Sequence, residues 1–505
     1  MTTRREVLKY AGLGVGAAAA SALGVPISAN VAANQAQAPA KPAQTEVTDK
    51  SGKRLAPGTE IAWTKIAKKA PTADITVDPT KTAQSILGFG AAFTDAACFT
   101  LSRLSDNDRS NLLRTMFAQD QHALSMGRIP IGASDYSTAA YSYDDGAADP
   151  ELKRFSVDHD RDYILPTLRA ALSANPDLFL FASPWSPPGW MKYSNSMLGG
   201  NIRPENIPTY AHYFQKFVEA YAAAGVSVRA VTTQNEIDAD QGGRMPACPW
   251  PEEDEERLVA TLGPLLESSG TKIWTLDHNY NLFGRALDQL SRPHFKKYVN
   301  TVAWHGYVGS PEMMLNVKQK FPDVDMHWTE GGDDYKFPDY LTNWSKWGAT
   351  FAGILANGPQ SITMWNFALD ERGRPNIGPF DCGGLVQIHS QTKEITQTGL
   401  YWALVHHARA FRRGAVIVAS HDANGDLPAV NAALIGQPPS SSTVTATPNT
   451  AATSRVYHTA AKNSDGSLVL VLTNPGDAKE VTVACAGQIT KIALTTDSLT
   501  TLRWT

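Results

Sequence analysis

The chain has 505 residues, 43% of them hydrophobic and 19% charged, which is enough apolar material for one large core and a satellite domain. A formal net charge of −4 and a pI near 6.3 supply no broad positive field, so neither nucleic acid nor an anionic membrane surface is expected as a partner. Cys98, Cys248, Cys382 and Cys485 are too widely spaced for a Cys-x-x-Cys metal or redox motif and read as buried small apolar residues rather than bridges.

Residues 1–38 read as an address. Arg4-Arg5 precedes a small-residue apolar run, Tyr10 to Val25, and a cleavage-like Ala36-Gln37-Ala38, the layout of a twin-arginine export signal. The run is broken by Gly, Ala and Ser and is too short for a stable span, and no later run reaches spanning length. The expectation is an exported protein, periplasmic or extracellular, with no stable membrane span after cleavage. Residues 39–60 are rich in Ala, Pro, Lys and Gly and predict a loose leader, with order starting near Ile61. Within 61–86, Glu60 to Trp63 and Asp74 to Val77 are strand-like. They are too few for a sheet of their own and are expected to join a C-terminal β domain.

The body, 87–409, repeats one pattern. Eight short apolar or β-branched runs are each followed by a segment of helical character: Leu87 to Phe93, Leu124 to Ile131, Leu178 to Ala182, Val226 to Thr232, Lys272 to Leu276, Thr301 to Trp304, Val324 to Trp328 and Ser361 to Trp365. Eight such alternations predict an α/β fold, the (β/α)8 TIM barrel. Ser105-Asp106-Asn107-Asp108 offers helix caps, and Pro251-Glu252-Glu253-Asp254 a proline and acidic first turn. A doubly wound open sheet lacks its Gly-x-Gly-x-x-Gly turn. Residues 410–505 hold short strands at Ala415 to Ala419, Ser442 to Ala446, Ser467 to Leu472, Glu480 to Ala484 and Ile492 to Leu494, separated by turn residues. They predict an attached β-sandwich, discontinuous in sequence because the 61–86 strands complete it.

A barrel places reactive groups just past the C-terminal ends of its strands. In order those positions carry Asp95, Asp135, Trp185, Asn235 with Glu236, His278 with Asn279, His305 with Tyr307, Glu330, and Trp365 with Asn366. Singly, each has a structural explanation: a helix cap, a barrel-filling ring or a core histidine. A full circuit of polar and aromatic strand ends points instead to a site. Two carboxyls among aromatics and hydroxyl-binding groups suit sugar transfer, in which one acts as acid and the other, about 5–5.5 Å away, attacks the anomeric carbon. Asn235 is placed to bond a sugar 2-hydroxyl, Gly331 and Gly332 allow close backbone approach, and Tyr307 or His305 can orient the Glu330 carboxylate. No His-Glu-x-x-His and no Gly-x-Ser-x-Gly elbow is present, which disfavours metalloprotease and serine hydrolase chemistry.

The motifs Gly88-Phe89-Gly90-Ala91-Ala92-Phe93-Thr94-Asp95, Arg128-Ile129-Pro130-Ile131-Gly132-Ala133-Ser134-Asp135-Tyr136-Ser137 and Ala182-Ser183-Pro184-Trp185-Ser186-Pro187-Pro188-Gly189-Trp190 carry a resemblance. It continues through Gln234-Asn235-Glu236, Asp277-His278-Asn279, His305-Gly306-Tyr307, Glu330-Gly331-Gly332, Trp365-Asn366 and Pro375-Asn376. Together they resemble glycoside hydrolase family 30, in its branch of glucosylceramidases and endo-β-1,6-glucanases. The resemblance implies Glu236 as acid/base and Glu330 as nucleophile. It also implies Asp135, Trp185, Asn235, Trp365 and Asn376 on the terminal sugar, with His305 and Tyr307 around the nucleophile. No cofactor and no metal are implied. The substrate expected is a β-glucoside or β-glucan, cleaved by a retaining, glucosylceramidase-like β-glycosidase; the alternatives are an endo-β-1,6-glucanase and a non-catalytic carbohydrate-binding protein. One departure stands out: the family's Asn-Glu-Pro is Asn235-Glu236-Ile237, followed by an acidic, glycine-rich loop, 238–244, which leaves the aglycone open. Trp190, Tyr193, Tyr280 and Tyr335 either line leaving-group sites or pack loops. Nothing in the sequence sets an oligomeric state.

Overall fold

The structure, a computed structural model, describes residues 41–67, 72–422 and 455–505. The export segment and the predicted strand Ser442 to Ala446 lie outside the described residues.

All eight expected barrel strands are present: β1 (Gly88–Ala92), β2 (Met126–Ile131), β3 (Phe179–Pro184), β4 (Ala230–Thr232), β5 (Lys272–Asn279), β6 (Val299–His305), β7 (Asp325–Glu330) and β8 (Ser361–Met364). They are parallel and hydrogen-bonded in a closed ring, with β8 pairing to β1. Strands covered on both faces read as continuous apolar runs, which is why they were legible. Every residue of β1 and β2 is buried. The two strands approach so closely that a Cβ on Gly90 would lie 1.8 Å from the Met126 carbonyl oxygen, so only glycine fits.

Strand alternation sorts the interior into layers. Met126, Phe181, Ala230, Trp274 and Ala303 form an apolar plug, with the Phe181 and Trp274 rings 4.9 Å apart and His327 stacked on Trp274 at 4.3 Å. Two residues further along their strands come Arg128, Ser183, Thr232, His305 and Thr329, so the layer above the plug is polar. On β5 the same count would give Leu276. Instead, Leu276 and Asp277 take φ of 72° and 44° and the register with β6 shifts, a bulge that turns Asp277 inward to join that layer.

Outside the ring, Ser105 caps Asp106–Phe117 by accepting from the Asp108 N–H, and Thr94 caps Asp95–Ser102 through the Ala97 N–H. The helix Glu252–Leu266 follows Pro251 and buries Leu258, Val259, Leu262 and Leu266. No helix among the described residues is long and apolar enough to cross a membrane.

The remaining strands form a ten-stranded sheet that doubles over into the expected sandwich. Trp63, at one edge, and Trp504, seven places away in strand order, touch with centroids 5.2 Å apart. Ile75–Ser85 pairs with both Val416–Asp422 and Lys479–Cys485, so the domain is discontinuous. The loose leader is corrected: Gln44–Thr48 forms an antiparallel ladder with Ser498–Trp504, running from Gln44↔Arg503 to Thr48↔Leu499. Its β-branched Thr45, Val47 and Thr48 are buried, and this outweighs the flanking Pro and Lys. Tyr457–Lys462 and Ser498–Trp504 are further strands beyond those expected. One face of the sheet shares the barrel core through Ala461, Val469, Val471 and Leu499. Across that seam the Trp344 indole donates to the Asp497 carbonyl (2.8 Å), and buried His406 lies between the Thr501 and Thr48 hydroxyls at 2.7 and 2.9 Å. The sandwich is therefore welded to the barrel. All four cysteines are free thiols; Cys98, Cys248 and Cys485 are buried and Cys382 half-buried.

Candidate active site

The polar layer ends in a network at the C-terminal mouth. Its centre is Asp277, fully buried. Oδ2 accepts from Arg128 Nη2 (2.7 Å), Ser183 Oγ (2.8 Å) and Thr232 Oγ1 (2.8 Å); Oδ1 accepts from Thr329 Oγ1 (2.7 Å) and faces His305 Nε2 at 3.0 Å. Burial pushes this carboxyl up, but Arg128, His305 and Thr329 outweigh it and hold Asp277 far below the usual carboxylate range. Arg128 is also fully buried. Its Nη2 donates to Asn235 Oδ1 (2.7 Å), its Nε to Ser183 Oγ (3.1 Å), and its Nη1 to Glu330 Oε2.

Glu330 closes β7. Besides Arg128 it accepts from the Tyr307 hydroxyl at Oε1 (3.0 Å), and His305 Nε2 stands 3.7 Å from Oε2. Gly331 and Gly306 leave room for Trp328, whose ring would lie 2.2 and 2.5 Å from a Cβ at those positions.

Glu236 follows β4 with φ of 50°, its N–H bonded to the Asp277 carbonyl (3.0 Å). Its Oε1 faces Nδ1 of His305 (3.6 Å) and Nδ1 of His278 (3.9 Å), while Oε2 accepts from Gln241 Nε2 (2.6 Å). One imidazole, His305, thus touches both carboxylates through opposite nitrogens. Burial pushes the Glu236 carboxyl up, but the nearby His278 and His305 charges and the Gln241 hydrogen bond prevail, holding it at about 2. Burial pushes His305 down, yet Glu330, Asp277 and Glu236 raise it to about 9.

The other expected residues fall around this pair. Asn235 carries the Arg128 contact and bonds β3 through its N–H to the Pro184 carbonyl (2.8 Å). Trp185 and Trp365 stack at 5.0 Å, with the Arg128 guanidinium 4.8 Å from one ring centroid and 5.6 Å from the other. Asp135 is buried, and burial together with the Glu330 and Glu236 charges drives its carboxyl well above the usual range. Asn376 is different. Its amide bonds its own loop, to the Phe380 carbonyl (2.5 Å) and from the Gly378 N–H (2.6 Å), and that loop seats the Ile377 N–H on the Asp135 carbonyl at 2.8 Å. It therefore shapes the wall beside Asp135 rather than presenting a free amide. Tyr136 holds the same loop, its hydroxyl donating to the Phe380 carbonyl (3.0 Å). Ile237, where the family has proline, is buried, and its carbonyl accepts from the Trp250 N–H (2.8 Å), fixing the turn by packing. Tyr280 is buried against Trp304, whereas Tyr193 is exposed.

Arg128, Asp277 and Gln241 were not singled out from sequence as site residues, whereas His278 was among the strand ends that pointed to a site. For Arg128 there was a signal: an arginine in the middle of the apolar strand Met-Gly-Arg-Ile-Pro-Ile has no reason to be there without buried carboxylates.

The profile of the glycosyl hydrolase family 30 TIM-barrel domain matches residues 86–410. An endo-1,6-beta-D-glucanase of Neurospora crassa is 31% identical over 382 residues, 72% of this chain and 76% of that protein. The lysosomal acid glucosylceramidase of Mus musculus is 31% identical over 329 residues, 60% of this chain and 63% of that protein. Among solved structures, the endo-beta1,6-glucanase BT3312 superposes with a TM-score of 0.78 at 26% identity, covering 92% of this chain and 99% of that one. By its barrel, its sequence profile and these relatives, the chain belongs to glycosyl hydrolase family 30 and is a glycoside hydrolase.

Proposed function

We propose that this glycoside hydrolase cleaves β-glucosidic bonds with retention, using Glu330 as nucleophile and Glu236 as acid/base. The observation that carries the assignment is the unequal surroundings of the two carboxylates about His305. Glu330 faces fixed donors, Arg128 and Tyr307, which hold and aim the carboxylate. Glu236 faces two imidazoles, His305 and His278.

In the first half-reaction a Glu330 oxygen bonds to the anomeric carbon, the glycosidic C–O bond breaks, and the departing oxygen takes a proton from Glu236. A carboxyl held near 2 is a weak store for that proton. His305, 3.6 Å from Oε1, passes a proton to Glu236 as the leaving oxygen departs, so the two act as one proton-carrying pair. In the second half-reaction the ionised Glu236 takes a proton from water, the oxygen attacks the anomeric carbon, and the Glu330 ester is released. Trp185 and Trp365 wall the sugar, while Asp135 and Asn235 bond its hydroxyls.

The reading is a glucosylceramidase-like β-glucosidase. A second reading, endo-β-1,6-glucanase, is favoured by the near full-length superposition on a structure of that activity. Incubation with a gluco-configured mechanism-based inactivator and peptide mapping should place a covalent adduct on Glu330; an adduct on another carboxylate would refute the assignment. Product analysis separates the readings: glucose alone from a glucosyl lipid supports the first, mixed oligosaccharides from a β-1,6-glucan the second. We also propose export through residues 1–38. Replacing Arg4-Arg5 by Lys-Lys should retain the protein in the cell, and unchanged export would exclude the twin-arginine route.

A further inference from the structure

We propose that Glu236, His278 and His305 form a binding site for one divalent transition cation of the Zn²⁺ class, and that its occupancy shuts off hydrolysis. The three potential ligand atoms, Glu236 Oε1 and the two Nδ1 atoms, all lie within 4.8 Å of one another. The carboxylate oxygen is 3.6 and 3.9 Å from the nitrogens. A tetrahedral zinc with bonds of about 2.0–2.2 Å separates its ligands by roughly 3.3–3.5 Å, so the carboxylate is within a few tenths of an ångström of that spacing from each nitrogen, and the two imidazoles close the site by swinging towards each other.

Two further observations point to a ligand. His305 Nδ1 is buried and has no hydrogen-bond partner, although the ring has none of its surface exposed. Both rings are also oriented from behind by carboxylates, His305 Nε2 by Asp277 Oδ1 at 3.0 Å and His278 Nε2 by Asp238 Oδ1 at 2.7 Å. That is the carboxylate–histidine–metal arrangement, which fixes the tautomer and raises ligand basicity. For His278 the tautomer follows from its neighbours. Asn279 Oδ1 accepts the Tyr307 and Val308 N–H groups, so its amide nitrogen faces His278 Nδ1 at 3.3 Å and donates to it; His278 Nδ1 therefore carries a lone pair, which a cation takes over from the amide N–H. A cation held here ties up the Glu236 oxygen and the His305 nitrogen together. The inhibition rests on reading Glu236 as the acid/base; the binding does not.

The test is calorimetric titration of the whole protein with Zn²⁺, and with Co²⁺ followed by visible absorption. One tight Zn²⁺ per chain is expected, with Co²⁺ bands of a four-coordinate site. His278→Ala should weaken binding more than tenfold and Asp238→Asn about tenfold, whereas His294→Ala, on the surface beside Glu256, should leave it unchanged. Absence of binding, or equal affinity in wild type and His278→Ala, overturns the proposal. Should His278→Ala not fold, Asp238→Asn on its half-exposed loop decides, and equal affinity there overturns it too. Binding without any glucosidase activity would leave this site standing and remove the functional reading, and activity without binding the reverse.

Discussion

Replacing Arg128 by Met removes the cation from the middle of the network while keeping an apolar stem of similar reach. The guanidinium faces two buried carboxylates, Asp277 and Glu330, and four of its donor contacts end on Asp277, Asn235, Ser183 and Glu330. Removing one partner of a buried ion pair leaves an uncompensated charge and costs about 3–5 kcal/mol. No discount for solvent applies, because Arg128 and Asp277 have no exposed side-chain surface. The pH dependence has a definite sign. In the wild type Asp277 is held down, so its contribution is fully present above the unfolded value near 3.9 and is lost only as pH falls through the lower folded value. In the variant burial prevails and the carboxyl rises, so acidification from pH 7 to pH 5 supplies a proton and returns stability. Urea denaturation followed by tryptophan fluorescence at the two pH values measures both. A gap below about 1 kcal/mol at pH 7 would refute the reasoning, since that is the range of an exposed pair. So would a gap that widens at pH 5.

Glu236→Gln should lower turnover of glucosides with poor leaving groups by about 10²–10⁴-fold and spare the glycosylation step with activated aryl glucosides; equal losses on both would contradict the acid role. The proton shared by His305 and Glu236 is lost as pH rises through about 9, so the alkaline limb of kcat/KM should fall there and shift in His305→Asn. A limb near 6, unchanged in that variant, would mean that Glu236 titrates alone. Gly331→Ala sets a Cβ 2.2 Å from buried Trp328 and should destabilise by about 1–3 kcal/mol, read from the denaturation midpoint, with a loss of activity because Glu330 is the next residue.

Much of the architecture was legible because its strands are buried on both faces. Runs such as Phe-Leu-Phe-Ala of β3 admit one reading, and the eightfold repeat then closes the ring. Glu236 and Glu330 were legible as strand ends. The strand Tyr457–Lys462 was not, since Tyr-His-Thr-Ala-Ala-Lys has neither alternation nor bulk and gains its partners only from Leu468–Asn474 and Val416–Asp422. Gln44–Thr48 failed because the flanking Pro and Lys masked its β-branched residues. Asp277 failed for another: a period of two puts Leu276 inside, and only the β5 bulge, invisible in residue types, exchanges them. Asn376 belongs to the matching motif Pro375-Asn376, but its amide bonds its own turn, a feature that depends on loop path rather than residue identity.

The backbone itself separates the site from the rest of the barrel. Of the twelve non-glycine residues with positive φ among the described residues, five are at this mouth: Glu236, Gln241, Leu276, Asp277 and Asn366. Glutamate has no local means of easing φ of 50°, and such a position costs about 1–2 kcal/mol. It is retained because the Glu236 N–H is tied to the Asp277 carbonyl and the Asn235 N–H to the Pro184 carbonyl, which fixes the turn from both sides. The consequence is an inversion of the usual order of substitutions. Glu236→Ala and Glu236→Gly both delete the carboxyl, so their difference reports the backbone alone. Glycine ordinarily loses to alanine through the entropy of the unfolded chain, but at a left-handed position the folded-state relief exceeds that loss. Glu236→Gly should therefore be the more stable of the two, by about 1 kcal/mol in chemical denaturation. If Glu236→Ala proves equal or more stable, the turn that aims the proposed acid/base is not strained, and the conformation of Glu236 would need another cause.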